Sequence, residues 1–234
     1  MYASLTVATH PKRRALSALF RARRLAAAAA ARPNVAFARA LQTGTFRSDA
    51  RPPYELGRVA VMLWASDEDT LSEVGDFVLA PLADGATQRW RVVLRPAAVH
   101  GAWAGFSPAC AAPADGEQLR PDEPVVVLIH GVLQARYLMK FARDSAGVGK
   151  QLALADGYLG GLSLADTPLT TASFSCWRTV RDSRAFAFGA GAHRVAYKVD
   201  QAQGRHVTEF FVRFRPLYSD GTLEGKDPLA DVLR

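Results

Sequence analysis

Cysteine is nearly absent from this chain: its 234 residues hold two, Cys110 and Cys176. One lies in a Pro/Ala/Gly-rich stretch and the other in an apolar segment. Such unlike contexts argue against a disulfide framework and for reduced thiols in a cytoplasmic protein. Long hydrophobic runs are missing too; none approaches the roughly eighteen residues that a membrane-spanning helix needs. The five histidines (His10, His100, His130, His193, His206) never pair at helical spacing, and no Cys/His cluster or His-Glu-x-x-His run occurs. A closed zinc site is therefore not expected. There is no Gly-x-Ser-x-Gly elbow and no glycine-rich phosphate loop after a strand. Gly189-Ala190-Gly191 follows a helical segment and reads as a helix break.

Acidic residues are absent from positions 1–48, which carry nine Lys/Arg, although the whole chain is only +7. The remainder is close to neutral, so the basicity belongs to one end. Nucleic-acid binding needs a basic face on the folded body with exposed aromatics or a recognition helix; neither is evident. The stretch from Pro11 to Arg32 reads as a helix with Leu16, Leu19, Phe20 and Leu25 toward one side and arginines on the other. Three readings fit it: a packing helix with a solvated basic side, a helix that also rests on anionic lipid, or a cleaved targeting peptide.

What is present is a duplication. Trp64, Ser66 and Asp69 recur as Trp177, Thr179 and Asp182, and Arg95, Pro96, Gly101 and Gly105 recur as Arg215, Pro216, Gly221 and Gly225. Hydrophobic patterning gives each unit the order strand, helix, strand, strand, helix, strand. Strands are predicted over Leu5–Thr9, Val35–Leu41, Arg58–Trp64 and Trp90–Arg95, then over Val125–Val132, Tyr158–Leu164, Thr171–Trp177 and Thr208–Leu217. The helices are predicted over Lys12–Arg32, from a Ser66 cap, over Ala135–Ala155 and from a Thr179 cap.

A β-α-β-β-α-β unit is the ferredoxin-like arrangement. Two in tandem predict an α+β fold, a pseudo-symmetric barrel with helices outside. The expected division is 1–106, a linker at 107–123, 124–225 and a tail at 226–234. Along the last strand Phe210, Val212 and Phe214 alternate with Glu209, Phe211, Arg213 and Arg215; the first set is assigned to the helices and the second to the space between sheets. Thr171, Ser173 and Ser175 are assigned to that inner space as well, which reads either as a polar ligand pocket or as positions near the barrel rims that meet water.

Among candidate residues His193 stands out, because it restarts a helix after the Gly189–Gly191 break. The positive end of a helix dipole disfavours imidazolium and leaves a nitrogen lone pair for a metal. A packed or capping role is the plainer alternative. His130, on an apolar strand where an imidazole needs a partner, is the second pocket candidate. Trp64 and Trp177 read as core anchors.

The runs Ser173-Phe174-Ser175-Cys176-Trp177, Phe186-Ala187-Phe188-Gly189-Ala190-Gly191-Ala192-His193 and Glu209-Phe210-Phe211-Val212-Arg213-Phe214, with Gly221-Thr222, resemble the spheroidene monooxygenase family. Gly101-Ala102-Trp103-Ala104-Gly105 and the Gly44 loop leading to the strand ending at Trp64 extend the likeness over most of 35–225. It implies an oxygenase of carotenoid biosynthesis that puts oxygen at C2 of acyclic carotenoids, with dioxygen, reduced ferredoxin as electron donor, and haem. On that likeness His193 is the axial iron ligand and Tyr197 a further haem contact. Arg213 would meet a propionate or polarise dioxygen, and Thr222 or Ser175 would donate to it. The chain departs from the family form at Arg205-His206, where an aromatic pair usually follows Gly204, and at Leu223, usually tryptophan. A haem- or lipid-binding barrel without oxygenase activity and a cofactor-free monooxygenase of the same barrel class are the competing readings. A homodimer and peripheral membrane contact through the 11–32 helix are further expectations.

Overall fold

The computed structural model describes residues 1–46, 54–103, 106, 118–189 and 203–233. Its strands are β1 (Tyr2–Thr9), β2 (Val35–Gly44), β3 (Arg58–Ala65), β4 (Gln88–Gly101), β5 (Val125–Leu133), β6 (Tyr158–Ala165), β7 (Thr170–Trp177) and β8 (His206–Gly221). The helices are α1 (Ala15–Ala30, after a 3-10 turn at Lys12–Arg14), α2 (Glu68–Ala83), α3 (Leu138–Leu152) and α4 (Val180–Phe188). The strands close into a barrel in the order β1-β3-β2-β6-β7-β5-β8-β4, with every pairing antiparallel. Each half contributes the same four-strand sequence, 4-1-3-2, and the two halves meet edge to edge. Closure leaves no unpaired edge.

The sequence repeat is visible as geometry at the long seam. Arg95 pairs with Arg215, Trp90 with Gly221 and Gly101 with Phe210, so the pseudo-dyad crosses β4 and β8 at the two arginines. Gly101 and Gly221 both have positive φ, and a Cβ on either would strike a carbonyl, Glu209 O or Arg89 O. Those same carbonyls accept from Ala102 N at 3.0 Å and Thr222 N at 2.7 Å. Only glycine fits there.

Helix starts follow from local chemistry. Thr179 caps α4 by accepting from Asp182 N, as the sequence suggests. The cap of α2 is Asp67, which accepts from Thr70 N; Ser66 instead donates to Asp67 across 2.6 Å. A carboxylate is the stronger partner for the positive helix end. That hydrogen bonding holds the Asp67 carboxyl below its usual range.

One face expectation is overturned. Phe210, Val212 and Phe214 point into the barrel, where they join Trp64, Trp90, Trp103, Phe37, Phe106, Phe174 and Cys176 in one buried apolar cluster. Phe211, Arg213 and Arg215, and likewise Ser173 and Ser175, face outward to the helices. The alternation was read correctly but assigned to the wrong sides. In a closed barrel the interior is the face fully withdrawn from water, so it takes the large apolar set. The space between the sheets is thus filled with aromatic side chains, and the polar pocket expected there is replaced by a packed core.

Candidate functional site

The two halves treat their outer, helix-facing surfaces differently. In the first half α1 buries Ala18, Ala22, Leu25, Ala26 and Ala29, and α2 buries Leu71, Val74, Gly75, Val78 and Leu82. Every residue of β3 is buried between helices and barrel. In the second half α4 buries Val180 and Ser183, and among its described side chains α3 contributes only Leu152 to the small outer cluster. Register makes the contrast quantitative. Thr6 lies opposite Arg91 in the first half and is 2% exposed; its counterpart Ile129, opposite Phe211, is 39% exposed in mid-strand. A central strand with an open apolar residue on its helix side marks a cleft between sheet and helices.

The rows across that face define its floor. Ser175, Val127 and Arg213 form one row; Ser173, Ile129 and Phe211 form the next, with His100 beside Phe211. At one end Trp177 packs on Phe186 of α4, with ring centroids 5.3 Å apart. At the other end the His206 ring covers Gly131, meets Phe141 edge-on and lies 3.0 Å from the Thr171 hydroxyl. Leu138 and Met139 at the start of α3, Phe188 at the end of α4 and Val207 near the start of β8 are further exposed apolar residues of the second half. Arg213 lies over the Phe211 ring, with no acidic partner among the described residues. Desolvation, helped by the Arg184 charge, pulls its guanidinium below the usual range. A half-buried cation without a counter-ion is costly, and an anionic group would relieve it.

Ser175 and Arg213 are therefore brought onto one row of one surface. The Ser175 hydroxyl accepts from the Trp177 indole N–H at 2.9 Å. Thr222 is not brought there: it is exposed past the end of β8, nine residues beyond Arg213 and so about 30 Å away along an extended strand. His193 and Tyr197 lie outside the described residues, as do Cys110, Ala104 and Gly105. His206 and Ile129 were missed as cleft residues, since their roles depend on how loosely α3 covers β5.

His130 takes a different place. Its ring is buried inside the barrel end, stacked on Trp103 with centroids 4.2 Å apart, and Nε2 sits 3.6 Å from Asp166 Oδ1. Asp166 also accepts from Trp103 Nε1 at 3.1 Å and Thr170 Oγ1 at 2.5 Å, with Arg39 Nε 3.6 Å away. Burial alone would raise this carboxyl; donation from Thr170 and Trp103, with the His130 ring close by, outweighs it and drives the carboxyl far below its usual range. Burial, aided by Asp166, pushes the nearby Tyr54 hydroxyl up to about 12. Among the described residues no three His, Cys, Asp or Glu side chains gather as a metal site. None of the described helices is long and apolar enough to cross a membrane.

Comparison with known proteins gives the lineage. No family model matches the chain. Spheroidene monooxygenase from Rhodobacter capsulatus is 28% identical over 152 residues, 61% of this chain and 62% of the relative. Its namesake from Cereibacter sphaeroides is 24% identical over 177 residues, 73% of this chain and 52% of the relative. The chain is a distant relative of spheroidene monooxygenase. The matches cover less than two thirds of either relative. The crystal structure of an aldoxime dehydratase in complex with butyraldoxime superposes with a TM-score of 0.56 at 12% identity, over 92% of this chain and 79% of that one. That likeness concerns the fold alone.

Proposed function

We propose that this chain is a haem-dependent monooxygenase that inserts oxygen at C2 of an apolar, spheroidene-like acyclic carotenoid, using dioxygen and electrons from reduced ferredoxin. The observation that carries the reading is the partly open outer face of the second sheet, where Ile129 is 39% exposed between Ser173 and Phe211 and where Arg213 has no acidic partner among the described residues. A flat, mostly apolar macrocycle with carboxylate arms matches that surface. Ser173 and Ile129 give it a low floor, and Arg213 offers a counter-ion to a carboxylate. His193 occupies the position of the axial ligand in the family motif.

When bound, haem supplies the activation of dioxygen that no side chain can provide. The chain's own residues do the rest. Val127, Ile129 and Phe211 exclude water from the floor, Arg213 fixes one anionic edge, and Leu138, Met139 and Phe188 give a polyene an apolar approach. Each round balances with dioxygen, two electrons and two protons: one oxygen atom enters a C–H bond to give the alcohol and the other leaves as water, and a second round at the same carbon gives a geminal diol that loses water to the ketone.

Titration of the purified protein with haem, followed by absorption, is the first test. A Soret band that saturates at one equivalent is expected, and Ile129→Trp, which fills the cleft, should prevent it without unfolding the barrel. Protein that stays colourless overturns the cofactor and favours a cofactor-free oxygenase. Cells making acyclic carotenoids should form ketocarotenoids with the wild-type chain and not with Ile129→Trp. Haem binding without ketocarotenoids would leave a haem-binding barrel and overturn the activity.

A further inference from the structure

The outer surface of α1 is the part of the molecule that neither the core nor the cleft uses. Its inner side is sealed by Ala18, Ala22, Leu25, Ala26 and Ala29. Its flanks are spent within the fold: Arg21 binds Asp84 and the Pro81 carbonyl, and Arg32 binds Glu73 and covers the Phe77 ring. The outward arc is different. Leu16 and Phe20, one turn apart, are 73% and 62% exposed. Helical spacing places Arg23 and Arg24 beside them within an arc of about 100°, and Lys12 and Arg13 are exposed in the 3-10 turn that leads into α1. None of these four cations makes an ion pair with a described residue.

Leu56, also largely exposed, extends the patch, because the turn at Gly57 abuts the His10 and Pro11 carbonyls just before the 3-10 turn. The neighbouring carboxylates are already paired: Glu55 and Glu224 with Arg58, and Asp84 with Arg21. Positions 1–48 contribute no acid. Solvated basic faces are common, but two large apolar side chains in the midst of unpaired cations form a different pattern. Cations reach lipid phosphates while leucine and phenylalanine enter the acyl boundary.

We propose that the Lys12–Arg24 face of the 3-10 turn and α1 is a docking surface for an anionic lipid bilayer. It holds the protein on the membrane surface without spanning it. The proposal is independent of haem and of the oxygenase reading. A second copy of the chain is disfavoured as the occupant, since an isologous contact would set these cations against one another.

Cosedimentation of the full chain with phosphatidylcholine vesicles, with and without phosphatidylglycerol, tests it. Binding is expected only to the anionic vesicles and should fall as salt rises. Arg13→Gln/Arg23→Gln/Arg24→Gln should weaken it by about fivefold per charge removed, and Leu16→Ser/Phe20→Ser should abolish stable binding. Circular dichroism melts of both variants should match wild type, because all five side chains are exposed. If either variant melts early, the salt titration and neutral-vesicle control on the wild-type protein still decide. No sedimentation with anionic vesicles, equal binding to neutral ones, or undiminished binding by folded variants would overturn the proposal. So would light scattering that shows a dimer dissolved by Leu16→Ser/Phe20→Ser.

Discussion

Replacing Arg213 by methionine separates its energetic burden from its use. The guanidinium is half-buried, has no acidic partner among the described residues and sits near Arg184. Its removal should stabilise the ligand-free chain by about 1 kcal/mol, a rise of roughly 2–4 °C in Tm for a domain of this size. The same substitution should weaken haem binding by about tenfold or more, since a charge-assisted hydrogen bond is lost. Thermal melts with and without haem read both effects, and their opposite signs identify a residue kept for binding at the expense of stability. The glycines offer a second residue-scale measurement. At Gly101 and Gly221 an added Cβ would collide with a carbonyl oxygen, Glu209 O or Arg89 O, whereas at Gly225, also with positive φ, it meets nothing within 4 Å. Alanine at Gly225 should cost about 1 kcal/mol, the left-handed penalty alone, and alanine at Gly101 or Gly221 about 3 kcal/mol. Denaturant unfolding of the three variants distinguishes these values.

At the scale of elements the informative contrast is between α1 and α3. Helix α1 is anchored by an alanine and leucine stripe, while α3 buries little beyond Leu152 among its described side chains and carries Gly147 and Gly149 within it. Each interior glycine costs about 1 kcal/mol relative to alanine. Backbone amides of α3 should therefore exchange with deuterium well before those of α1 and α2, and haem in the cleft should slow exchange in α3 selectively. Equal protection of α1 and α3 in the free protein would contradict an open cleft. This asymmetry also explains what the sequence could and could not disclose. All eight strands were legible, because each alternates or runs apolar between turn residues, and the Arg-Pro…Gly repeat announced the duplication. Which face of β7 and β8 looks inward was not legible, since period-two alternation separates two faces without naming either. The useful signal was side-chain size: Phe210, Phe214 and Phe174 fill a barrel that both halves share, whereas alanines and β-branched residues suit helix contact. Ser175 and Arg213 share one face, in one row with Val127 of the intervening β5, but that face looks outward and not into the barrel. Ile129 and His206 had no sequence signal, because only the loose seating of α3 makes their surroundings a cleft.

For the molecule as a whole, the two seams of the barrel differ in length. The β4–β8 seam runs from Trp90 to Gly101, whereas β2 and β6 meet through three pairs only, Gln42–Ala165, Thr43–Leu164 and Gly44–Ser163. The short seam is where closure is weakest, and Asp166 lies immediately beyond it. Its carboxylate collects Arg39 from β2, His130 from β5, Thr170 from β7 and Trp103 from beyond β4, so one charge ties four parts of the rim together. Asp166→Asn keeps the shape but halves the acceptor capacity and removes the charge. It should cost about 3 kcal/mol at neutral pH, a fall of roughly 6–12 °C in Tm. Hydrogen exchange in the variant should accelerate first at 42–44 and 163–165, the paired residues of that seam. The pH dependence has a definite sign. A carboxyl held below its unfolded value contributes stability in full above that value, near 3.8, and loses it as pH falls through the lower folded value. The difference in stability between wild type and Asp166→Asn should therefore be constant from neutral pH down to about 4 and shrink below that. A difference that instead narrowed between pH 7 and 5 would contradict the assignment of the clasp to the Asp166 carboxylate.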